Sequence, residues 1–158
     1  MLGMQITHNL GYLLNHLAFV MSRQSDQVLQ ERLGIGFSQF KIMMVLQAKP
    51  HIQQKEIADK LGQTEASISR QIKLLTENGL LQSLKRPENK REHITTLTSK
   101  GERYTDEAME ILANYHSPVF EQLTEKQQAI LLDSLQAMHQ IACSDDRPGS
   151  CHHIFENN

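Results

Sequence analysis

The sequence has no tryptophan, and aromatic residues are only 5% of it, so any core must be built mainly from Leu, Ile, Met and Ala. No apolar run approaches the ~18 residues a membrane helix needs, so no membrane span is expected. The opening MLGMQITHNL lacks a basic segment ahead of an apolar one. A secretory signal is therefore not expected, and the cytoplasm is the default compartment. There are two cysteines, Cys143 and Cys151, too few for a disulfide framework. A phosphate-cradling glycine loop, a nucleophile elbow and a paired-acid arrangement are all missing, so an enzyme is not expected. Neither charge sign dominates. The net charge of −2 taken alone argues against a nucleic-acid binder.

The distribution of charge points the other way. Residues 38–100 hold eleven Lys and Arg against six Asp and Glu, whereas residues 101–158 hold three against ten. A basic middle beside an acidic end suits a polyanionic partner that touches only the middle. With 158 residues, 39% of them hydrophobic, the chain fits one domain or one domain plus an assembly element.

Apolar periodicity lays out the elements. Ile6, Leu10, Leu13, Leu17 and Val20 recur at spacings of four and three, which predicts a long amphipathic helix from Gln5 to Leu33 that ends at Gly34. Leu14, Phe19 and Met21 widen its apolar face, so a second surface must cover it. Ser38 is the expected N-cap of a helix reaching about Lys49, where Pro50 ends it; Met43 and Met44 read as core filler. Gln53 to Leu61 forms a short helix stopped by Gly62. Thr64 then caps a helix from Glu65 to Asn78, with Ile68, Ile72 and Leu75 as its buried stripe.

Leu80 to Leu84 and His93 to Leu97 read as strands joined by KRPENKRE, whose Pro87 and Asn89 signal a turn. Thr98 or Ser99 caps the next helix, which Pro118 should kink or break near Ser117. Thr124 and Gln127 make a capping box for a last helix through Ile130, Leu135 and Ile141. The tail beyond Cys143 is expected to be irregular.

The fold class that follows is mainly α with a small β-wing: a winged helix-turn-helix DNA-binding lobe plus a helical dimerisation domain. The expected divisions are 1–34, a dimerisation helix; 35–100, the DNA-binding lobe; 101–144, further dimerisation helices; and 145–158, a tail. A major groove admits one α-helix, and base edges there are read by short polar and long cationic side chains. Thr64, Ser67, Ser69, Arg70 and Lys73 fit that role on the second short helix. Lys85, Arg86, Lys90 and Arg91 at the hairpin tip suit phosphates or the minor groove. The surplus apolar face of the first helix predicts a homodimer, and two-fold symmetry predicts a palindromic site.

In QKEIADKLG at 54–62, ASISRQIKLLTENGLL at 66–81 and NKREHITTLTSKG at 89–101, the sequence resembles the MarR family of winged helix-turn-helix transcriptional regulators. The order of elements matches as far as about Ser144. The resemblance implies a homodimer on double-stranded DNA, most often a repressor, built by the first helix and the last two. Arg70 matches the family's recognition-helix arginine and Arg91 its wing-tip arginine. Asn89 departs from the family's usual Asp and leaves the tip more positive.

The resemblance also implies a small-molecule signal, for example an aromatic or phenolic ligand. Tyr12, His16, Phe37, Phe40, Met44 and Tyr104 are candidate lining residues. No cofactor and no resident metal are expected. The family's zinc-sensing branch uses a cysteine around the first two helices that this chain lacks, and its peroxide-sensing branch a cysteine near the chain start that is also missing. Besides the helix histidines His8, His16, His116 and His139, the residues Cys143, Cys151, His152 and His153 form the other candidate cluster for a metal- or redox-responsive regulator, the alternative reading. A winged helix used only for protein contact is the other alternative.

Overall fold

In a computed structural model, residues 9–85 and 93–143 are described. The elements are α1 (Leu10–Leu33), α2 (Phe37–Ala48), α3 (Gln54–Leu61), α4 (Glu65–Glu77), β1 (Leu81–Lys85), β2 (His93–Leu97), α5 (Ser99–Phe120) and α6 (Glu125–Ala142). Mostly helical with one small hairpin, this is the expected fold class.

Local chemistry sets most boundaries. Asn9 caps α1 by accepting from the Tyr12 amide at 3.0 Å, and Gly34 ends the helix in the left-handed region at φ 68°. A side chain would be strained there. The N-terminus of α2 differs from expectation. Gly36, not Ser38, is its N-cap and has no side chain to offer. Asp26 of α1 accepts from the Phe37 amide at 2.8 Å instead, while Gln39 accepts from the Gly36 amide at 3.0 Å. A cap supplied from another helix leaves no local sequence signal.

Pro118 also departs from expectation. α5 runs through it to Phe120 without breaking. Pro118 sits in the last turn, with only two helical residues beyond it, and Glu121 N–H still reaches the Ser117 carbonyl at 2.9 Å.

The core is centred on α2. Ile42 and Met43 are fully buried, and Leu29 of α1, Ile57 of α3, Ile68 and Leu75 of α4, Leu81 and Leu97 of the hairpin and Ala108 of α5 close around them. Truncating such a residue to alanine costs about 2–5 kcal/mol. The hairpin is antiparallel, with Leu81 opposite Leu97 and Lys85 opposite His93. Ile52, in the α2–α3 loop, adds a single bridge to Thr95 and ties the wing to that loop.

Two regions stand apart from this core. The first half of α1 exposes Leu10, Leu13, Leu17 and Phe19, and α6 has no buried residue although Ile130, Leu132, Leu135 and Ile141 lie on it. Apolar faces of this size are seldom left to water.

Candidate nucleic-acid interface

α3 and α4 form a helix-turn-helix through Gly62, left-handed at φ 61°, with the Gln63 amide bonded back to the Ala58 carbonyl at 3.0 Å. Thr64 Oγ1 accepts from the Ser67 amide at 3.2 Å and starts α4. The acid Glu65 lies in the first turn, favourable to the helix dipole. Ile68, Ile72 and Leu75 bury one stripe of α4. At 100° per residue, Ala66, Arg70 and Lys73 fall on the opposite side, and all three are exposed.

The structure thus brings Thr64, Ser67, Ser69, Arg70 and Lys73 onto one helix, with Thr64, Ser69, Arg70 and Lys73 exposed and Ser67 half-buried. Lys73 lies 3.9 Å from Glu77, an exposed and therefore weak pair. Ser67 Oγ donates to Gln63 Oε1 at 3.4 Å, so Gln63 is a neighbour that the sequence pattern does not single out. Lys85 ends β1. Arg86, Asn89, Lys90 and Arg91 lie outside the described residues.

Two cations of the basic middle are engaged internally. Lys100 Nζ donates to the Asn78 carbonyl at 2.9 Å and closes the C-terminal end of α4. Lys49 Nζ binds Glu56 Oε1 at 3.1 Å. The Lys49 hydrogen bond, helped by the Gln53 amide, holds the Glu56 carboxyl below its ordinary value. That pair braces α3 against the end of α2.

The six candidate ligand residues do not gather in one place. Tyr12 and His16 stack on the exposed half of α1, their ring centroids 5.7 Å apart. Phe40 is 3% exposed and belongs to the core, while Met44 and Tyr104 pack against it. Phe37 alone lines a sizeable cleft of about 590 Å³ between α1 and the start of α2. Arg23, Lys41 and Phe19 also line that cleft. Sequence periodicity misses Arg23 and Lys41 because each looks like an ordinary solvated charge on its own helix. Each stands over a ring, Arg23 5.7 Å from the Phe19 centroid and Lys41 5.4 Å from that of Phe37.

Among the described residues, no three His, Cys, Asp or Glu side chains group as metal ligands. Cys143 caps the end of α6. Cys151, His152 and His153 lie outside the described residues.

The MarR family model matches residues 37–93, the stretch from the start of α2 to the start of β2. The chain is similar to the HTH-type transcriptional regulator BilQ of Clostridium symbiosum (strain WAL-14163), with 25% identity over 68% of this chain and 75% of that one. Its fold matches CouR of Rhodococcus jostii RHA1 bound to p-coumaroyl-CoA, with TM-score 0.76 and 17% identity over 92% of this chain and 99% of that one. A structure of the transcriptional repressor CouR bound to a 23-mer DNA duplex matches with TM-score 0.74 and 25% identity, over 85% of this chain and 94% of that one. The fold, the helix-turn-helix with its hairpin and these matches together support a MarR-family winged helix-turn-helix transcriptional regulator.

Proposed function

We propose that the chain acts as a homodimeric repressor on a palindromic DNA operator, with α4 in the major groove and the β1–β2 hairpin beside it. The observation that carries this is the exposed side of α4: Arg70 and Lys73 stand opposite its buried stripe, and Ser67 and Ser69 flank them in the N-terminal half, where a recognition helix meets base edges. Thr64, Ser67, Ser69, Arg70 and Lys73 are the proposed DNA contacts of α4, with Arg70 reading bases and Lys73 meeting phosphate. Lys85, Arg86, Lys90 and Arg91 are the proposed wing contacts. CouR, with the same fold, is seen on a DNA duplex.

The division of labour follows. Residues 35–100 are the proposed DNA-binding lobe, and residues 1–34 and 101–144 the dimerisation helices. The exposed apolar residues of α1 and α6 support pairing with a second copy. A dimer of this kind sets two copies of α4 about one helical turn of DNA apart, roughly 10 base pairs. The cytoplasm is its proposed compartment.

The cleft between α1 and α2 is the proposed signal site. Its rings and the cations Arg23 and Lys41 suit a small aromatic or phenolic ligand bearing negative charge, whose binding lowers DNA affinity. CouR is seen with p-coumaroyl-CoA, a larger ligand that combines a phenolic ring with negative charge.

Binding to the DNA upstream of the chain's own gene, followed by a salt titration, tests the reading. A specific site should be preferred to random DNA, and affinity should fall steeply with salt as counterions are released. Equal binding to random DNA, or a flat salt response, would overturn it and favour a protein-contact role.

A further inference from the structure

The buried pair Ser25–His116 has no part in the reading face, yet it joins the two long helices. Ser25 Oγ of α1 and His116 Nε2 of α5 are 2.9 Å apart and come from positions 91 residues apart in the chain. Relative exposure is 4% for Ser25 and 8% for His116. His116 Nδ1 is also buried and has no hydrogen-bond partner among the described residues. Buried polar atoms left unpaired are rare and costly.

The location is specific. Ser25 is the first buried residue along α1, and His116 is the last along α5. Before Ser25 and after His116 both helices lead out of the common core, to the exposed apolar stretches of α1 and toward α6. An apolar contact at this crossing would tolerate sliding. A hydrogen bond is made at one relative setting of the two helices.

We propose that the Ser25–His116 bridge is a positioning pair that fixes how the outer helices leave the DNA-reading lobe, and that protonation of His116 releases it and weakens DNA binding. The proposal rests on the dimeric DNA-binding reading, because in a dimer that setting fixes the separation of the two copies of α4.

The chemistry follows from the imidazole. In its neutral form Nε2 shares one proton with Ser25 Oγ, and the unpaired Nδ1 costs one neutral hydrogen bond, less than a buried charge would. The imidazolium is a donor at both nitrogens, and buried Nδ1–H would then point a charge at no acceptor. Nearby charges offer little relief. Arg23, Asp26 and Arg32 of α1 and Glu110 and Glu121 of α5 are exposed. Asp26 is engaged by the Phe37 amide, Glu121 by Ser117 Oγ, and Lys41 of α2 lies over Phe37. The Tyr115 ring stands edge-on to the imidazole, centroids 5.2 Å apart. Burial accordingly pushes His116 below its ordinary value of 6.5.

A paired variant separates this device from generic titration. Histidine is the side chain that changes charge between about pH 5 and 8. His116→Gln removes that charge change at the α1–α5 crossing alone, so an acid loss of affinity that it abolishes belongs to the bridge.

The test is DNA affinity at constant ionic strength between about pH 7.5 and about pH 5.5, the window in which histidine titrates. Wild type should weaken by roughly tenfold across that window, on the scale of one lost interaction. His116→Gln keeps a neutral donor near Ser25, so it should bind like wild type at the upper pH and show no acid loss. Ser25→Ala should bind more weakly even at the upper pH. A flat wild-type profile, an unchanged acid loss in His116→Gln, or full affinity in Ser25→Ala would each overturn the proposal.

Amide hydrogen exchange without DNA gives a second readout. Corrected for intrinsic rates, residues around Ser25 and His116 should lose protection in acid in wild type but not in His116→Gln. Equal loss in both would overturn the bridge. Absence of DNA binding at every pH would count against the DNA reading, and the exchange data would then decide the bridge by themselves.

Discussion

Thr98 Oγ1 donates to the Gly79 carbonyl at 2.7 Å and accepts from the Gly101 amide at 3.0 Å. One hydroxyl thus starts α5 and fastens it to the turn that ends α4. α4 and α5 meet at this side chain, with Lys100 of α5 bonded to the Asn78 carbonyl beside it.

Thr98→Ala should therefore cost about 1–2 kcal/mol, the upper part of the range for losing an N-cap, since a second bond goes with it. Thr98→Ser keeps both bonds and should recover most of the loss. Urea unfolding of the two variants checks this; equal stability of Thr98→Ala and wild type would refute the joint.

Gly101 is held by space, not by backbone freedom. A Cβ built there would meet the Leu80 carbonyl oxygen at 2.0 Å and the Leu97 side chain at 3.1 Å. Gly101→Ala should destabilise by about 3 kcal/mol or more, beyond ordinary overpacking, because backbone has to move. A melting curve unchanged from wild type would show that α5 can shift away from β1 freely.

Those two positions mark what a sequence can and cannot reveal. Thr98 is legible as a cap because its bond to Gly101 is local, and the periodic stripes of α4 and the hairpin are legible for the same reason. Gly101 looks like the loose start of a helix, since the Leu80 carbonyl that confines it lies 21 positions away. The Asp26 cap of α2, the Ser25–His116 bridge and the Arg23–Lys41 cleft are likewise made across helices. Pro118 reads as a breaker by its residue type, whereas its place in the last turn decides its effect. The fold and the proposed reading face rest on nearby residues; the proposed signal site rests on distant ones.

Glu56 gives a pH-dependent term with a defined sign. Its carboxyl is held below the ordinary 4.5, first by the Lys49 hydrogen bond. A depressed folded value means stability that is present above about pH 4.5 and is lost as pH falls through the folded value. The stability gap between wild type and Glu56→Gln should be widest near neutrality and close in acid. With the two side chains 58% and 46% exposed, the gap should be small and shrink in high salt. A gap that widens in acid would contradict the assignment.

Arg70 is exposed on α4 opposite the buried stripe. Arg70→Ala should weaken binding to the specific site by about 1–3 kcal/mol and leave random-sequence binding much less changed, as a base contact does. Lys73→Ala should weaken both sequences alike and reduce the salt slope by about one, as a phosphate contact does. Anisotropy titrations on both duplexes separate the two roles, and identical behaviour of the two variants would remove the assignment.

α6 offers the sharpest test of dimerisation. Leu132 and Leu135 are 57% and 40% exposed, and with Phe120 they line an apolar groove of about 300 Å³. If a second copy covers that groove, a carboxylate placed there is desolvated without a partner, which a pair of subunits tolerates poorly. Leu132→Glu should shift the protein from dimer to monomer in sedimentation at micromolar concentration while keeping its helix content. Two half-sites are then no longer held together, so affinity for the full site should fall toward that of one half-site. Retention of the dimer by Leu132→Glu would show that α6 faces solvent and that the pairing surface lies elsewhere on α1 and α5.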